Sequence, residues 1–339
     1  MTTTEAPSRA NTLGSISSNS TMHDGRIDTH HHILPPAYAA WLDRHGIRDG
    51  DRPLPEWSVQ GALDLMDDNG IVASILSVST PGVHLGDGGE ARRMARTVNE
   101  FTAGIVSRCP DRFGHFATLP LPDIDAALEE VAYAFDCLDA DGIVLLGNVG
   151  GAYLGDVSLD PLMAELDRRR ATILVHPCAL PGAEVPGLPA YAADFLLDTT
   201  RAAINLARSG CLERFPNLKI ILSHAGGFLP FAAQRLAASC SVDGDSEGGI
   251  ARLKRFYFDT ALSSSSYALP SLLSFAEPTH ITFGSDWPFA TRERSAFYRQ
   301  VLDDYPLTEA QRLAIGRGNA ERLLPRLATA LADGGRLNG

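Results

Sequence analysis

The stretch RIDTHHHILPP, Arg26–Pro36, runs a strand pattern into three consecutive histidines and then a Pro-Pro stop. Two architectures alternate strands with helices, the closed (β/α)8 barrel and the doubly wound open sheet. The open sheet normally carries a glycine-rich phosphate turn after its first strand, and THHHILPP contains no glycine. Further strands are expected at IVASILSV (71–78), FGHFATL (113–119), DGIVLLG (141–147), ATILVHP (171–177), LKIILSHAGG (218–227), RFYFDTA (255–261) and HITFGSDWP (280–288). Helical patterns lie between them: SVQGALDLMDDNG (58–70) has Ser58 as N-cap and Gly70 as stop, and IDAALEEVAYAFDCL (124–138) repeats apolar residues at helical spacing. Eight strands with intervening helices predict an α/β chain folded as one (β/α)8 TIM barrel over 23–327, closed by extra C-terminal helices.

The 339 residues carry a net charge of -12, which speaks against nucleic acid and against an anionic membrane surface as partners. A small anionic substrate is still allowed, because local charge in a pocket can oppose the net charge. Lys219 and Lys254 are the only lysines. The five cysteines form no CxxC pair, so neither a zinc ribbon nor a disulfide framework is expected, and a reducing cytoplasm fits. No apolar run is long enough to cross a bilayer. Residues 1–22 are rich in Ser, Thr and Asn without the apolar core of a secretory signal, and read as a disordered extension. Residues 328–339 read as a frayed tail.

Set against the strand pattern, the polar residues fall into a constellation. His30 and His32 end the first expected strand, His176 the fifth, His224 the sixth and Asp286 the eighth. In a (β/α)8 barrel these ends surround one mouth, where active sites are built. Side chains i and i+2 share a strand face, so His30 and His32 can both enter the mouth while His31 points away. Three neutral imidazoles from His30, His32 and His176, with the Asp286 carboxylate, make an N3O set suited to zinc or a similar divalent ion. Bland readings compete. HxH alone is a weak pattern, a single buried histidine is more often a core residue, and Asp286 could cap the following helix.

In that order, DTHHH, ILVHP, ILSHAGGFLPF and FGSDWPF resemble the amidohydrolase superfamily, and more narrowly its metal-dependent decarboxylase branch, typified by aminocarboxymuconate-semialdehyde decarboxylase. STPGVHLGD, FATLPLPD, GAYLGD and DTTRAAINLARSG look closer still to the 6-methylsalicylate decarboxylases within that branch. The resemblance covers about residues 26 to 323. It implies that His30, His32, His176 and Asp286 bind the metal and that His224 is the unliganded acid/base. It also implies a homodimer in which Arg235 reaches the neighbouring subunit's substrate carboxylate, and a substrate pocket lined by Phe289. A further substrate arginine of the branch has its nearest counterpart in Arg52, in an offset register. Binuclear relatives bridge two metals with a carboxylated lysine on the fourth strand. DGIVLLGN has none, so one ion per chain is expected, zinc first and manganese as the alternative.

The expected reaction is non-oxidative decarboxylation of a salicylate-type or enol-bearing carboxylic acid. The metal would bind the carboxylate and a neighbouring oxygen, and the ring carbon would be protonated by Asp286 or by a metal-bound water activated by His224. Hydrolysis of a lactone or amide uses the same ligands and is the rival. A non-catalytic metal-binding barrel is a third reading, which has no use for His224 and Arg235.

Overall fold

The computed structural model describes residues 25–49, 52–182, 185–241 and 244–337. Each expected apolar run contributes a strand to one sheet: β1 Arg26–His32, β2 Ile71–Ser77, β3 Phe113–Ala117, β4 Gly142–Leu146, β5 Thr172–His176, β6 Lys219–Leu222, β7 Tyr257–Asp259 and β8 Ile281–Thr282. They pair in parallel in chain order. A bridge between Asp28 and Phe283, with Thr29 N–H donating to the Phe283 carbonyl at 2.9 Å, joins β8 to β1 and closes the ring. The chain is therefore a (β/α)8 TIM barrel. Helices cover the outer face of every strand, which is why TILVH and FGHFA are buried along their whole length.

Local chemistry sets the helix ends. Ser58 accepts from Gly61 N–H at 3.0 Å and starts the helix Val59–Asp68, which stops at Gly70 with φ +63°. Asp87 caps Gly88–Arg108 and Asp123 caps Ile124–Cys137 in the same way.

Three expectations change. The sixth strand ends at Leu222 rather than running to Gly227, because His224, Ala225, Gly226 and Gly227 all have positive φ and turn the chain out of the sheet. The eighth strand spans only Ile281–Thr282, so Asp286 lies on the loop beyond it. Residues 328–337, read as fraying, belong to the helix Pro325–Leu337. Arg326 ties that helix to the bottom of the barrel with a fork onto Asp141 (3.0 and 2.8 Å) and a bond to the Phe113 carbonyl (3.2 Å). The proposed extension 1–22 lies outside the described residues, as do 338 and 339. Among the described residues no helix is long and apolar enough to cross a membrane.

Candidate metal centre and active site

His30 and His32 project from the end of β1 to the same point, their Nε2 atoms 3.1 Å apart. Asp286 Oδ1 lies 3.2 Å from the first and 3.1 Å from the second. His176, the last residue of β5, completes the group, and one ligand atom from each of the four falls within 4.8 Å of all the others. Asp286 is set by its backbone. Its N–H donates to the His30 carbonyl at 2.8 Å and its φ is +59°, which turns the carboxylate inward. His31 faces the opposite way, with Nδ1 3.0 Å from Asp28 Oδ2 and its ring 5.1 Å from that of Trp287.

The outer nitrogens test whether this set suits a metal. His30 Nδ1 is 2.7 Å from Asp259 Oδ2, His32 Nδ1 3.2 Å from the Ser77 carbonyl, and His176 Nδ1 2.8 Å from the Pro177 carbonyl. Each of these oxygens only accepts, so each Nδ1 carries the hydrogen and each Nε2 keeps a lone pair for the common point. Burial keeps His32 and His176 neutral by lowering their pKa values, for His176 well below the ordinary value. Burial alone would raise Asp286, but the neighbouring rings of His224, His30 and His32 hold it well below the usual carboxylate range. His30 differs: burial opposes its charge, yet Asp259 and Asp286 together raise it to about 10. A divalent cation competes with that proton for the same lone pair. Three imidazoles and one carboxylate, all buried and oriented from outside, fit a divalent metal ion.

His224 stands beside this group without joining it. Its Nε2 is 3.7 Å from Asp286 Oδ2, too far for a hydrogen bond, and neither ring nitrogen has a partner. The turn that carries it has φ of +53° at His224 and +56° at Ala225, conformations that non-glycine residues hold only when the surroundings enforce them. Gly227 cannot be replaced, since a Cβ there would lie 2.1 Å from the Leu196 carbonyl oxygen.

A cavity of about 630 Å³ opens over the group, with His176, His224 and Asp286 at its base. Phe289 lines it, its ring 5.3 Å from that of His32. Arg52 reaches its rim but is paired with Asp49 at 2.6 Å. Arg235 does not line the cavity of its own chain. It is exposed on the helix Leu229–Leu236, one turn beyond the exposed Phe231. Asn148, Tyr153 and Arg201 gather away from this cavity. Asn148 bonds the buried Asp198 at 2.8 Å, and Arg201 lies 3.5 Å from the Tyr153 hydroxyl. Burial, with Asp198 nearby, pushes the Cys178 thiol up to about 12, so it stays protonated and inert. Arg48 and Arg294 on the cavity wall were not foreseen, because no local pattern marks them.

A closed parallel barrel with a buried N3O group at the C-terminal ends of its strands defines a metal-dependent enzyme of the (β/α)8 class. The amidohydrolase family model matches residues 27–326, and the chain belongs to that family. It is 36% identical over 313 residues to 6-methylsalicylic acid decarboxylase of Penicillium expansum, covering 89% of this chain and 97% of the relative. Among solved structures, an amidohydrolase II superposes with a TM-score of 0.82 at 35% identity, covering 89% of this chain and all of the other. A 2,6-dihydroxybenzoate decarboxylase in complex with 2,6-dihydroxybenzoate superposes with a TM-score of 0.75 at 27% identity, covering 89% and 99%.

Proposed function

We propose that the protein is a metal-dependent carboxy-lyase that removes CO2 from a salicylate-type aromatic acid without oxidation. The observation that carries this is its similarity, over nearly the whole of both chains, to a 6-methylsalicylic acid decarboxylase. His30, His32, His176 and Asp286 would hold one divalent ion. Once bound, that ion supplies a Lewis acid and a template for the carboxylate and the neighbouring hydroxyl. We favour zinc for this nitrogen-rich set.

The residues then have distinct tasks. The apolar wall around Phe289 takes the aromatic ring and excludes water from the base of the cavity. His224 and Asp286 Oδ2, 3.7 Å apart, handle the proton. It is delivered to the ring carbon that bears the carboxylate, the carbon–carbon bond breaks, and its electron pair returns to the ring as CO2 leaves. Atoms and charge balance with no redox partner: one carboxylate and one proton become one arene and CO2. Arg235, which makes no ion pair or hydrogen bond among the described residues, is free to serve a carboxylate across a homodimer interface. Free cysteines fit a cytoplasmic enzyme.

The test is direct. Zinc-loaded protein is incubated with 6-methylsalicylate and other 2-hydroxybenzoates while CO2 and the phenol are measured, beside a panel of lactones. CO2 with stoichiometric phenol is expected. Acid released from a lactone, with no CO2 from any aromatic acid, would replace this reading with hydrolysis.

A further inference from the structure

We propose that Asp259 is the positioning residue of the metal centre, one carboxylate that sets the ring tautomer of His30 and the backbone seat of His224. Asp259 ends β7 and is completely buried. Its two oxygens serve three donors. Oδ2 lies 2.7 Å from His30 Nδ1, while Oδ1 accepts the N–H of His224 at 2.9 Å and that of Ala261 at 3.0 Å. β7 pairs with β6 on one side and with β8 on the other, and β8 meets β1, so the last residue of β7 stands between the turn after β6 and the end of β1.

The three liganding histidines are not oriented alike. His32 and His176 are turned by main-chain carbonyls, of Ser77 and Pro177, which no substitution removes. His30 alone depends on a side chain. A carboxylate can only accept, so it keeps hydrogen on Nδ1 and leaves the lone pair on Nε2, the atom that faces His32 and Asp286. The other oxygen holds His224 through its backbone at φ +53°, where an unsupported residue would relax. Asp259 therefore ties the ligand set to the neighbouring histidine without touching substrate. This inference rests on the four-residue ligand set and not on the reaction assigned above.

Asp259→Asn separates the effects because it keeps shape and loses one acceptor. If the amide oxygen stays with the two N–H groups, the amide nitrogen faces His30 Nδ1 and drives the ring hydrogen to Nε2. If the amide flips, its NH2 meets two donors. The dissociation constant for Zn2+, read by competition with a chromophoric chelator, is expected to weaken about 10–100-fold in a variant with the wild-type circular dichroism. Long-range 1H–15N spectra of zinc-loaded wild type should show His30 with hydrogen on Nδ1 and metal on Nε2. Unchanged zinc affinity in folded D259N, or metal on His30 Nδ1 in wild type, would overturn the proposal. Should D259N not fold, the wild-type spectrum decides alone. Failure to decarboxylate aromatic acids would leave both readouts untouched.

Discussion

Three adjacent histidines with nearly equal burial have unequal work, and the difference lies in what each outer nitrogen touches. His30→Ala or His32→Ala removes an Nε2 from the shared point, and metal content by elemental analysis should fall from about one ion per chain to near zero. His31→Ala should keep the metal. It strips a partner from the buried Asp28, which also holds the Ser285 N–H and hydroxyl, so a stability loss of roughly 2 kcal/mol by denaturant titration is expected. Gly284 is a second sensitive residue. A Cβ there would stand 2.9 Å from His30 Cβ and 3.1 Å from Ala261 Cβ, squeezing the ligand strand against the turn after β7. Gly284→Ala should cost about 1–3 kcal/mol and weaken zinc binding. A wild-type melting temperature together with wild-type zinc affinity would refute that packing account.

At the scale of elements, the barrel divides its labour between its two ends. The strand C-termini hold the polar chemistry, while the strand N-termini are sealed by the helix Pro325–Leu337 through Arg326 and Asp141. The Asp141 side chain is fully buried, and burial raises its pKa against the opposing pull of Arg326. Arg326→Ala should therefore destabilise the fold by roughly 2–3 kcal/mol while activity per folded molecule stays near wild type. On β3 the buried His115 has no protein partner for either ring nitrogen, and burial, aided by Arg326, lowers its pKa from 6.5 to about 4. Between those values the unfolded chain takes a proton that the folded chain refuses, so this contribution is complete above pH 6.5 and is lost as pH falls towards 4. At pH 5 the loss is about 2 kcal/mol, and His115→Leu should flatten that part of a stability–pH curve measured by denaturant titration.

For the whole molecule, exposed apolar side chains gather at the cavity rim. Phe231 and Tyr267 are 86% and 91% exposed beside the opening, with Arg235 on the same face of its helix as Phe231. A homodimer that buries this rim would carry Arg235 to the partner's cavity. Mixing inactive His224→Ala with inactive Arg235→Ala should then restore about a quarter of wild-type activity, since half the reassorted dimers hold one intact site of two. No recovery on mixing, with subunit exchange demonstrated, would place Arg235 outside the active site.

Much of the metal centre was legible in the chain because period-two alternation and strand ends are local properties. They separated His31 from His30 and His32, and marked His176 and Asp286 as residues of the same mouth. The lengths of β6 and β8 were not legible, since strand-like composition cannot report that His224 and Asp286 adopt positive φ. Asp259 acts on His30 from 229 residues away, and that distance vanishes only when β8 closes against β1. The sequence by itself determined the fold class, the ligand types and which face each presents, because strand periodicity dictates side-chain direction. Only the tertiary structure decided which groups meet and which nitrogen each histidine offers, because both depend on neighbours that barrel closure brings into hydrogen-bond range.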